Sequence, residues 1–380
     1  MLPLVDVAPL LQPPSAERAE ARRDVVRALD QACRRVGFVR VTGHGVPAGL
    51  RIRLTAAARA FFALPDDVKA EVAMALGGSA WRGWFPVGDE LTSGRPDGKE
   101  GFYFGEERGA DDPLVRAGTP LHGPNLFPAH PADLGPAVRA WMSAMTRLGA
   151  ALLGGLAVGL GLDEAWFADH VTAHPTTLFR IFHYPPHAGG DDEWGVREHT
   201  DYGLLTILAQ DGTPGLEVHG PDGWIAVPAD PEVLVVNLGD MLERMTRGLY
   251  RSTPHRVRNT AGVGRLSFPF FLDPDWRATV TPLPLDELDG TDVSAGRARW
   301  DGADVHAWVG TYGDYLTAKV SRVFPALMRS VQPRRCPPAR RCRRSHRRAW
   351  PRHRPGPPPA GPSDRRRLGR ARRAGRTARR

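Results

Sequence analysis

The sequence predicts an α+β protein that is mainly β, in which an α/β N-terminal region precedes a sandwich or barrel of short strands. Residues 178–272 contain several short apolar or alternating runs separated by Gly, Pro and Asp, which is typical of all-β sandwiches and barrels. Residues 1–160 instead combine strand-like alternation with apolar positions at helical spacing. No GxGxxG motif follows a predicted strand, so a dinucleotide-binding fold has no support.

The N-terminal α/β region is predicted to span residues 1–135, with alternating strands and helices. Strands are expected at 4–7 and within 37–47, and helices around 25–32 and 54–64. Residues 77–128 are rich in Gly, Pro, Asp and aromatic residues, so they are expected to form a long loop. Loops of that length are usually functional or disordered.

A segment of bridging helices is predicted at 136–177, and the β core follows at 178–280. The predicted core strands lie at 178–184, 203–210, 215–219, 224–228, 232–238, 255–259 and 265–272. The next segment, 281–327, is predicted to close the fold. Its helix is expected at about 304–324, where apolar residues recur at helical spacing and would pack back on the body.

The end of the chain differs from the rest in charge. Residues 326–380 carry 20 arginines, no lysine and one aspartate, a net +19, so the first 325 residues carry −10 within a whole-chain total of +9. Without periodicity, the Arg- and Pro-rich segment 328–380 is predicted to be disordered. Its composition is that of GC-rich codons read out of frame, which favours a frameshifted end over an evolved interaction arm that binds nucleic acid. No nucleic-acid partner is expected for the acidic body.

Composition predicts a soluble, cytoplasmic protein. Cys33 is the only cysteine before the tail, so no disulfide framework is available and a reducing compartment is indicated. The first residues lack the charged and apolar regions of a signal peptide. The longest uncharged stretch, 148–162, has 15 residues, fewer than the roughly 18 to 20 that a spanning helix needs. We therefore expect no membrane partner, and we expect a monomer.

The strongest local signal is the pair His199 and Asp201 in REHTDYGLLTIL. At the start of a predicted strand, residues two apart point from one face. An imidazole and a carboxylate suit a redox-active divalent metal such as iron(II), and a second histidine would complete a two-histidine, one-carboxylate triad. His255, in STPHRVRN, is the best candidate for that histidine. The alternative is a solvated or core-satisfied pair, since a chain with 13 histidines contains such pairs by chance.

A second pair, Arg265 and Ser267, follows ten residues after His255 on one face of a predicted strand. A guanidinium is a rigid bidentate fork for a carboxylate, and a neighbouring hydroxyl adds a hydrogen bond. An open metal site beside such a clamp is suited to chelating a 2-oxo acid. An ordinary ion pair between Arg265 and an acid of the body is the alternative.

With these motifs, the chain resembles the iron(II)- and 2-oxoglutarate-dependent oxygenases, in particular the isopenicillin N synthase-like group. The likeness rests on HTD, PHRV and RLS and on further segments in the same order, from about residue 2 to 327. Those segments are PLVDVAPL, GFVRVTGHGVP, FFALPDDVKAEV, RGWFPVG with KEGFYFG, FRIFHYPP, GLEV with GWIAVP, VVNLGDML and GLYRSTPHRV. The resemblance implies that the β core is a double-stranded β-helix, or jelly roll.

The resemblance also implies the cofactors and the site residues. The cofactors would be Fe(2+), 2-oxoglutarate as co-substrate and O2. The implied iron ligands and catalytic residues are His199, Asp201 and His255, and the implied 2-oxoglutarate-binding residues are Arg265, Ser267 and Tyr184. Asn237 and Asp240 in VVNLGDML match the pattern too, but we interpret them as a turn with its Asx hydrogen bonds.

The implied reaction is the oxidation of a small organic molecule by hydroxylation, desaturation or cyclisation, with release of succinate and CO2. The alternatives are a 2-oxoglutarate-independent oxidase of the same group, a zinc hydrolase, and a non-catalytic or nucleic-acid-binding role through the tail. Residues 81–104 are a candidate wall of the substrate pocket, suited to an aromatic or carboxylated molecule, unless they only fix a long loop. The side chains considered are Trp81, Arg82, Trp84, Phe85, Arg95, Lys99, Tyr103 and Phe104.

Overall fold

The computed structural model describes residues 1–324 except 14, 187–193, 259–261, 286–299 and 303. The predicted disorder of the segment 328–380 therefore lies outside the described residues and stays a prediction, as does the end of the closing segment 281–327.

The N-terminal region contains strands and helices in alternation. Its strands are β1 (Leu4–Asp6), β2 (Phe38–Thr42), β3 (Gly83–Phe85), β4 (Leu91–Thr92), β5 (Arg95–Pro96) and β6 (Glu100–Gly105). Its helices are α1 (Ala8–Leu11), α2 (Ala19–Arg35), α3 (Ala48–Phe62), α4 (Asp66–Lys69) and α5 (Pro113–Arg116). The expectation of one long loop over 77–128 was thus wrong, because short strands and a helix interrupt this Gly- and Pro-rich stretch.

Two helices, α6 (Leu134–Gly159) and α7 (Trp166–His170), connect this region to the β core. By length and composition, α6 could cross a membrane, but 61% of its most apolar window is buried inside the protein. It packs on α2 and α3, and Gly149 brings its backbone so close to the core that an added Cβ would lie 2.7 Å from Leu272 Cδ2. We interpret α6 as a core helix. It is longer than the uncharged stretch 148–162 on which the expectation of no membrane-spanning helix was based.

Among the described residues, eight strands form the core. They are β7 (Pro175–Tyr184), β8 (Val196–His199), β9 (Leu205–Gln210), β10 (Leu216–Gly220), β11 (Gly223–Ala226), β12 (Leu234–Leu238), β13 (His255–Val257) and β14 (Arg265–Asp275). They divide between a sheet that contains the order β12-β9-β14-β7 and a sheet with the order β11-β10-β13-β8. Chain segments alternating between two four-stranded sheets form a double-stranded β-helix, as predicted.

The N-terminal strands extend the first of these sheets at both edges. The strands β1 and β2 continue it beyond β12, and β6 and β3 continue it beyond β7, which gives the order β1-β2-β12-β9-β14-β7-β6-β3. A cavity of about 500 Å³, here called the chamber, is lined from this larger sheet by Tyr184 and Arg265 and from the smaller sheet by His199 and His255. The chamber is therefore the space between the two sheets.

The chain then forms α8 (Asp240–Met245) between β12 and β13, and α9 (Tyr312–Val323) after the core. The closing helix is shorter than the predicted 304–324. It begins after Thr311, whose hydroxyl accepts the Asp314 amide in a capping box, and Gly310 before it has φ +144°. Val309, one of the apolar residues within the predicted helix, is 87% exposed and lies before the helix starts. The capping box thus makes α9 begin later than the spacing of apolar residues predicted.

Candidate active site

The two predicted histidine ligands lie opposite each other in the smaller sheet. His199 is the last residue of β8, His255 is the first residue of β13, and the two are register partners with ring centroids 4.2 Å apart. The Nδ1 of each ring is bound to the backbone carbonyl two residues earlier, at 2.8 Å for Arg197 and 3.1 Å for Thr253. An Nδ1–H that donates to a carbonyl leaves the Nε2 lone pair free for a metal.

The carboxylate of Asp201 faces both free nitrogens. Its Oδ1 lies 3.9 Å from His199 Nε2 and 3.8 Å from His255 Nε2. We expected His199 and Asp201 on one face of the same strand. Instead, His199 ends β8 and Asp201 lies in the connection between β8 and β9. The connection also contains Gly203, and the backbone N–H of Asp240 donates to the Asp201 carbonyl, so tertiary contacts position this residue.

The other oxygen of Asp201 is taken by two buried side chains of the larger sheet. Thr206 Oγ1 donates to Oδ2 at 2.6 Å and Asn237 Nδ2 donates to it at 2.7 Å. Thr206 and Asn237 are register partners on β9 and β12. The carboxylate is therefore oriented with Oδ1 toward the histidines.

Burial and charge set the protonation of this cluster. Burial alone would raise the pKa of Asp201, but the charges of His255 and His199 and the hydrogen bonds from Asn237 and Thr206 hold its pKa below the usual value. Burial, with His199 nearby, lowers the pKa of His255 to about 4. A carboxylate and a neutral imidazole are the forms that bind a metal.

The interpretation of Asn237 as a turn residue was wrong. Asn237 lies within β12 and its amide contacts the carboxylate of Asp201, because the strand continues to Leu238 before the chain turns. Asp240, at the start of α8, has a structural role that comes from side-chain contacts with distant residues and not from an Asx turn. It accepts hydrogen bonds from Ser252 Oγ at 2.9 Å and from Tyr315 OH of α9 at 2.7 Å, so it connects α8 to the closing helix.

The donor set fits a divalent metal ion. The ligand atoms of His199, Asp201 and His255 all lie within 4.8 Å of one another, and the triad has the two-histidine, one-carboxylate composition of facial iron sites with open positions. The chamber begins at these three side chains. A metal bound there would remain accessible to a second ligand.

Arg265, at the start of β14, lies in the same chamber and is completely buried. Its Nε donates to the Thr213 carbonyl and its Nη2 to Gln210 Oε1, both at 3.2 Å, while Nη1 has no partner. No carboxylate within the described part of the chain forms an ion pair with it, so the alternative of an ordinary ion pair has no support. A buried, half-satisfied guanidinium is suited to an incoming carboxylate.

Tyr184 and Ser267 also line this end of the chamber. Tyr184 is the register partner of Arg265, whose guanidinium lies 4.8 Å from the centre of its ring. Ser267 is two residues along the same face of β14 and is 3% exposed. The structure therefore brings together the six residues that the sequence motifs singled out.

The predicted wall at 81–104 was only partly correct. Of the side chains considered, Lys99 lines the chamber. Trp81, Trp84, Phe85 and Phe104 belong to the hydrophobic core, and Arg82 donates to backbone carbonyls, at 2.7 Å for Glu106. The segment contributes Glu90 and the β4–β5 connection to the wall in their place. Composition identified the segment, but only strand register decides which side chains face inward.

The site also contains residues that sequence reasoning missed. Arg180 and Phe182 line the chamber on the same face of β7 as Tyr184. Their period-two spacing from Tyr184 was a usable signal, since alternate residues of a strand share a face. Thr206, two residues into β9, had no such signal, because its role depends on pairing with Asn237.

A facial triad beside an open carboxylate clamp within a double-stranded β-helix defines a class, the non-haem iron oxygenases that use an oxo acid. Two family models match: residues 2–130 match the N-terminal domain of non-haem dioxygenases in morphine synthesis, and residues 175–274 match the 2OG-Fe(II) oxygenase superfamily. The chain belongs to this superfamily, and it is an iron(II)- and 2-oxoglutarate-dependent oxygenase.

Named relatives agree. A probable iron/ascorbate oxidoreductase of Dictyostelium discoideum is 40% identical, over 87% of this chain and 96% of its own length. A 2-oxoglutarate-dependent dioxygenase of Monascus ruber is 36% identical, over 74% of this chain and 87% of its own. The crystal structure of a Neurospora crassa protein in complex with alpha-KG is 25% identical with a TM-score of 0.68, covering 84% of this chain and 96% of that one. These findings favour 2-oxoglutarate dependence over the alternatives weighed above.

Proposed function

We propose that this oxygenase binds iron(II) through His199, Asp201 and His255 and binds the distal carboxylate of 2-oxoglutarate through Arg265, Ser267 and Tyr184. The observation that carries the proposal is the pairing of the triad with the free Nη1 of Arg265 in one chamber. The substrate is a small molecule, and the reaction is hydroxylation, desaturation or cyclisation.

Each group of residues has a separate task. The backbone carbonyls behind His199 and His255 orient the rings, and Asn237 and Thr206 orient the carboxylate of Asp201. Arg265, which is itself completely buried, neutralises an oxo-acid carboxylate. Bound iron with 2-oxoglutarate and O2 supplies the oxidising power for a substrate C–H bond while the oxo acid becomes succinate and CO2.

The triad is tested by replacing one ligand at a time. His199→Ala or Asp201→Ala should abolish succinate formation, because two protein ligands leave iron weakly bound and wrongly oriented. Succinate is measured in the iron-loaded protein, and His219→Ala, on an exposed histidine of β10, is the matched control. Full turnover in either ligand variant would contradict the assignment.

The clamp is tested through 2-oxoglutarate affinity. Arg265→Ala should weaken binding by about 2 to 4 kcal/mol, roughly 30- to 1000-fold, because a charge-assisted contact is lost. Affinity is read from the visible charge-transfer band of the anaerobic iron(II) complex. Arg277→Ala, on an exposed arginine just after β14, is the control. Unchanged affinity in Arg265→Ala would make the cofactor-binding assignment wrong.

We also propose that the protein is cytoplasmic and monomeric. The support for the location is compositional, namely the scarcity of cysteine before the tail. Sedimentation of the purified chain and imaging of a tagged chain in its host test the two statements.

A further inference from the structure

A second arginine lies in the chamber, away from the oxo-acid clamp. Arg180, Phe182 and Tyr184 share the inward face of β7, and all three line the chamber. Tyr184 partners Arg265, whereas Arg180 is four residues back along the strand, about 13 Å at ~3.3 Å per residue. The chamber therefore has one guanidinium at the C-terminal end of β7 and another near the middle of that strand.

The guanidinium of Arg180 is enclosed by aromatic rings, and its ion pair with Glu90 is too long for a hydrogen bond. Its centre lies 4.2 Å from the centre of the Tyr103 ring and 4.8 Å from that of the Phe271 ring, and its side chain is 17% exposed. Its Nε is buried without a partner, and no hydrogen bond to its guanidinium is found among the described residues. The nearest carboxylate oxygen, Glu90 Oε1, is 3.8 Å from Nη1, which is beyond hydrogen-bond distance.

The neighbouring acids are already engaged elsewhere. Glu90 binds Lys99 Nζ through Oε2 at 2.7 Å and accepts the Tyr103 hydroxyl through Oε1. Asp97 accepts Thr92 Oγ1 at 2.8 Å and also pairs with Lys99. Asp273, another acid that lines the chamber, accepts the hydroxyl of Tyr312. These contacts fix the surroundings of Arg180 and leave its guanidinium with a long ion pair to Glu90 but without a hydrogen bond to any described residue.

Buried donors without partners are rare, because each costs about 1 to 3 kcal/mol and more if charged. Arg265 likewise has a buried nitrogen without a partner, Nη1, which we have assigned to the oxo acid. We propose that Arg180 binds a carboxylate of the substrate, so that the enzyme oxidises a small carboxylic acid whose apolar body lies along Phe271 and Leu178. This inference rests on the proposed function, since it places the acid in the chamber with the iron triad.

Matched acids and amides test the substrate class. The full-length iron(II) protein with 2-oxoglutarate is assayed for coupled succinate release against a panel of aromatic and aliphatic monocarboxylates, each beside its primary amide. Acids should stimulate succinate release, and the amide of each active acid should have a kcat/KM at least 100-fold lower than that of the acid. Amides that serve as well as their acids, or a panel in which only neutral molecules are active, would overturn the proposal.

Variants test the residue. Arg180→Met should lower kcat/KM for the active acid at least 100-fold, mainly through KM, while the 2-oxoglutarate affinity stays within twofold. Arg180→Lys keeps the charge but not the bidentate geometry, so its KM for the acid should lie between that of wild type and that of Arg180→Met. It also serves as a second variant if Arg180→Met folds poorly. Arg277→Met is the control. A KM for the acid within twofold of wild type in both variants would refute the assignment.

The two proposals fail in different ways. If the assignment of Arg265 fails, Arg265→Ala leaves 2-oxoglutarate affinity unchanged. If only the assignment of Arg180 fails, 2-oxoglutarate binding still depends on Arg265 while acid and amide substrates behave alike. If the wild-type protein binds no 2-oxoglutarate with iron present, both proposals are wrong.

Discussion

At the scale of single residues, the triad is oriented by side chains and carbonyls that do not themselves face the metal position. Each histidine is oriented by a backbone carbonyl two residues before it, and Asp201 by Asn237 and Thr206. Such partners set the tautomer and direction of the ligands, and losing one typically costs 10- to 100-fold in metal affinity. A geometry of this kind is decided by residues that are distant in sequence.

Asn237→Ala should therefore lower iron(II) affinity about 10- to 100-fold, because Oδ2 of Asp201 loses a donor and the carboxylate is freed to rotate. The measurement is an anaerobic metal titration in the absence of 2-oxoglutarate. Asn125→Ala is the control, since Asn125 makes comparable hydrogen bonds with Gly105 outside the chamber. An affinity within twofold of wild type would show that Thr206 alone orients Asp201.

At the scale of elements, α9 is connected to the core through buried tyrosine–aspartate contacts. Tyr312 donates to Asp273 of β14 and Tyr315 donates to Asp240 of α8. Asp240 in turn donates its backbone N–H to Asp201, so the closing helix and the metal site share one network. The packing of α9 is thus chemically specific as well as hydrophobic.

Asp273 makes this connection sensitive to pH. Burial raises its pKa to about 7, above the ordinary value, so the folded state favours the protonated acid. A raised carboxyl pKa costs stability as pH rises from about 4 to 7, with no further change above 7. Asp273→Asn, which keeps the acceptor for Tyr312, should stabilise the protein by an amount that grows across this window to the order of 2 to 4 kcal/mol at pH 8.

The measurement is chemical denaturation of wild type and variant at half-unit steps from pH 4 to pH 9. Asp222→Asn, in the exposed turn between β10 and β11, controls for the substitution itself. A stability difference that is constant with pH would mean that Asp273 is ionised throughout the range and that its contact with Tyr312 is an ordinary charged hydrogen bond.

At the scale of the whole molecule, charge is divided unevenly along the chain. The first 325 residues carry −10 and the last 55 carry +19. All of the site residues lie in the acidic part, so the basic isoelectric point of about 10.0 says nothing about the substrate. The preference for a frameshifted end over an evolved arm stays a prediction, because these residues lie outside the described range.

Deleting residues 328–380 should leave coupled succinate release within twofold of the full-length protein and should abolish any salt-sensitive binding to DNA. Activity and DNA retention at low and high salt are measured side by side. Resequencing the 3′ end of the gene tests the reading frame independently. A confirmed frame together with DNA binding that depends on this segment would establish the evolved arm instead.

By itself, the sequence determined the class of fold and the chemistry of the site. Short-range spacing is enough to predict strands and helices, and the triad and Arg265 with Ser267 each consist of residue types that have few other uses in that combination. The tertiary structure decided which side chains surround them. The contact of Asn237 with Asp201, the inward position of Arg180 and the burial of Trp81 all depend on how distant strands pair, and one residue of register moves a side chain to the opposite face.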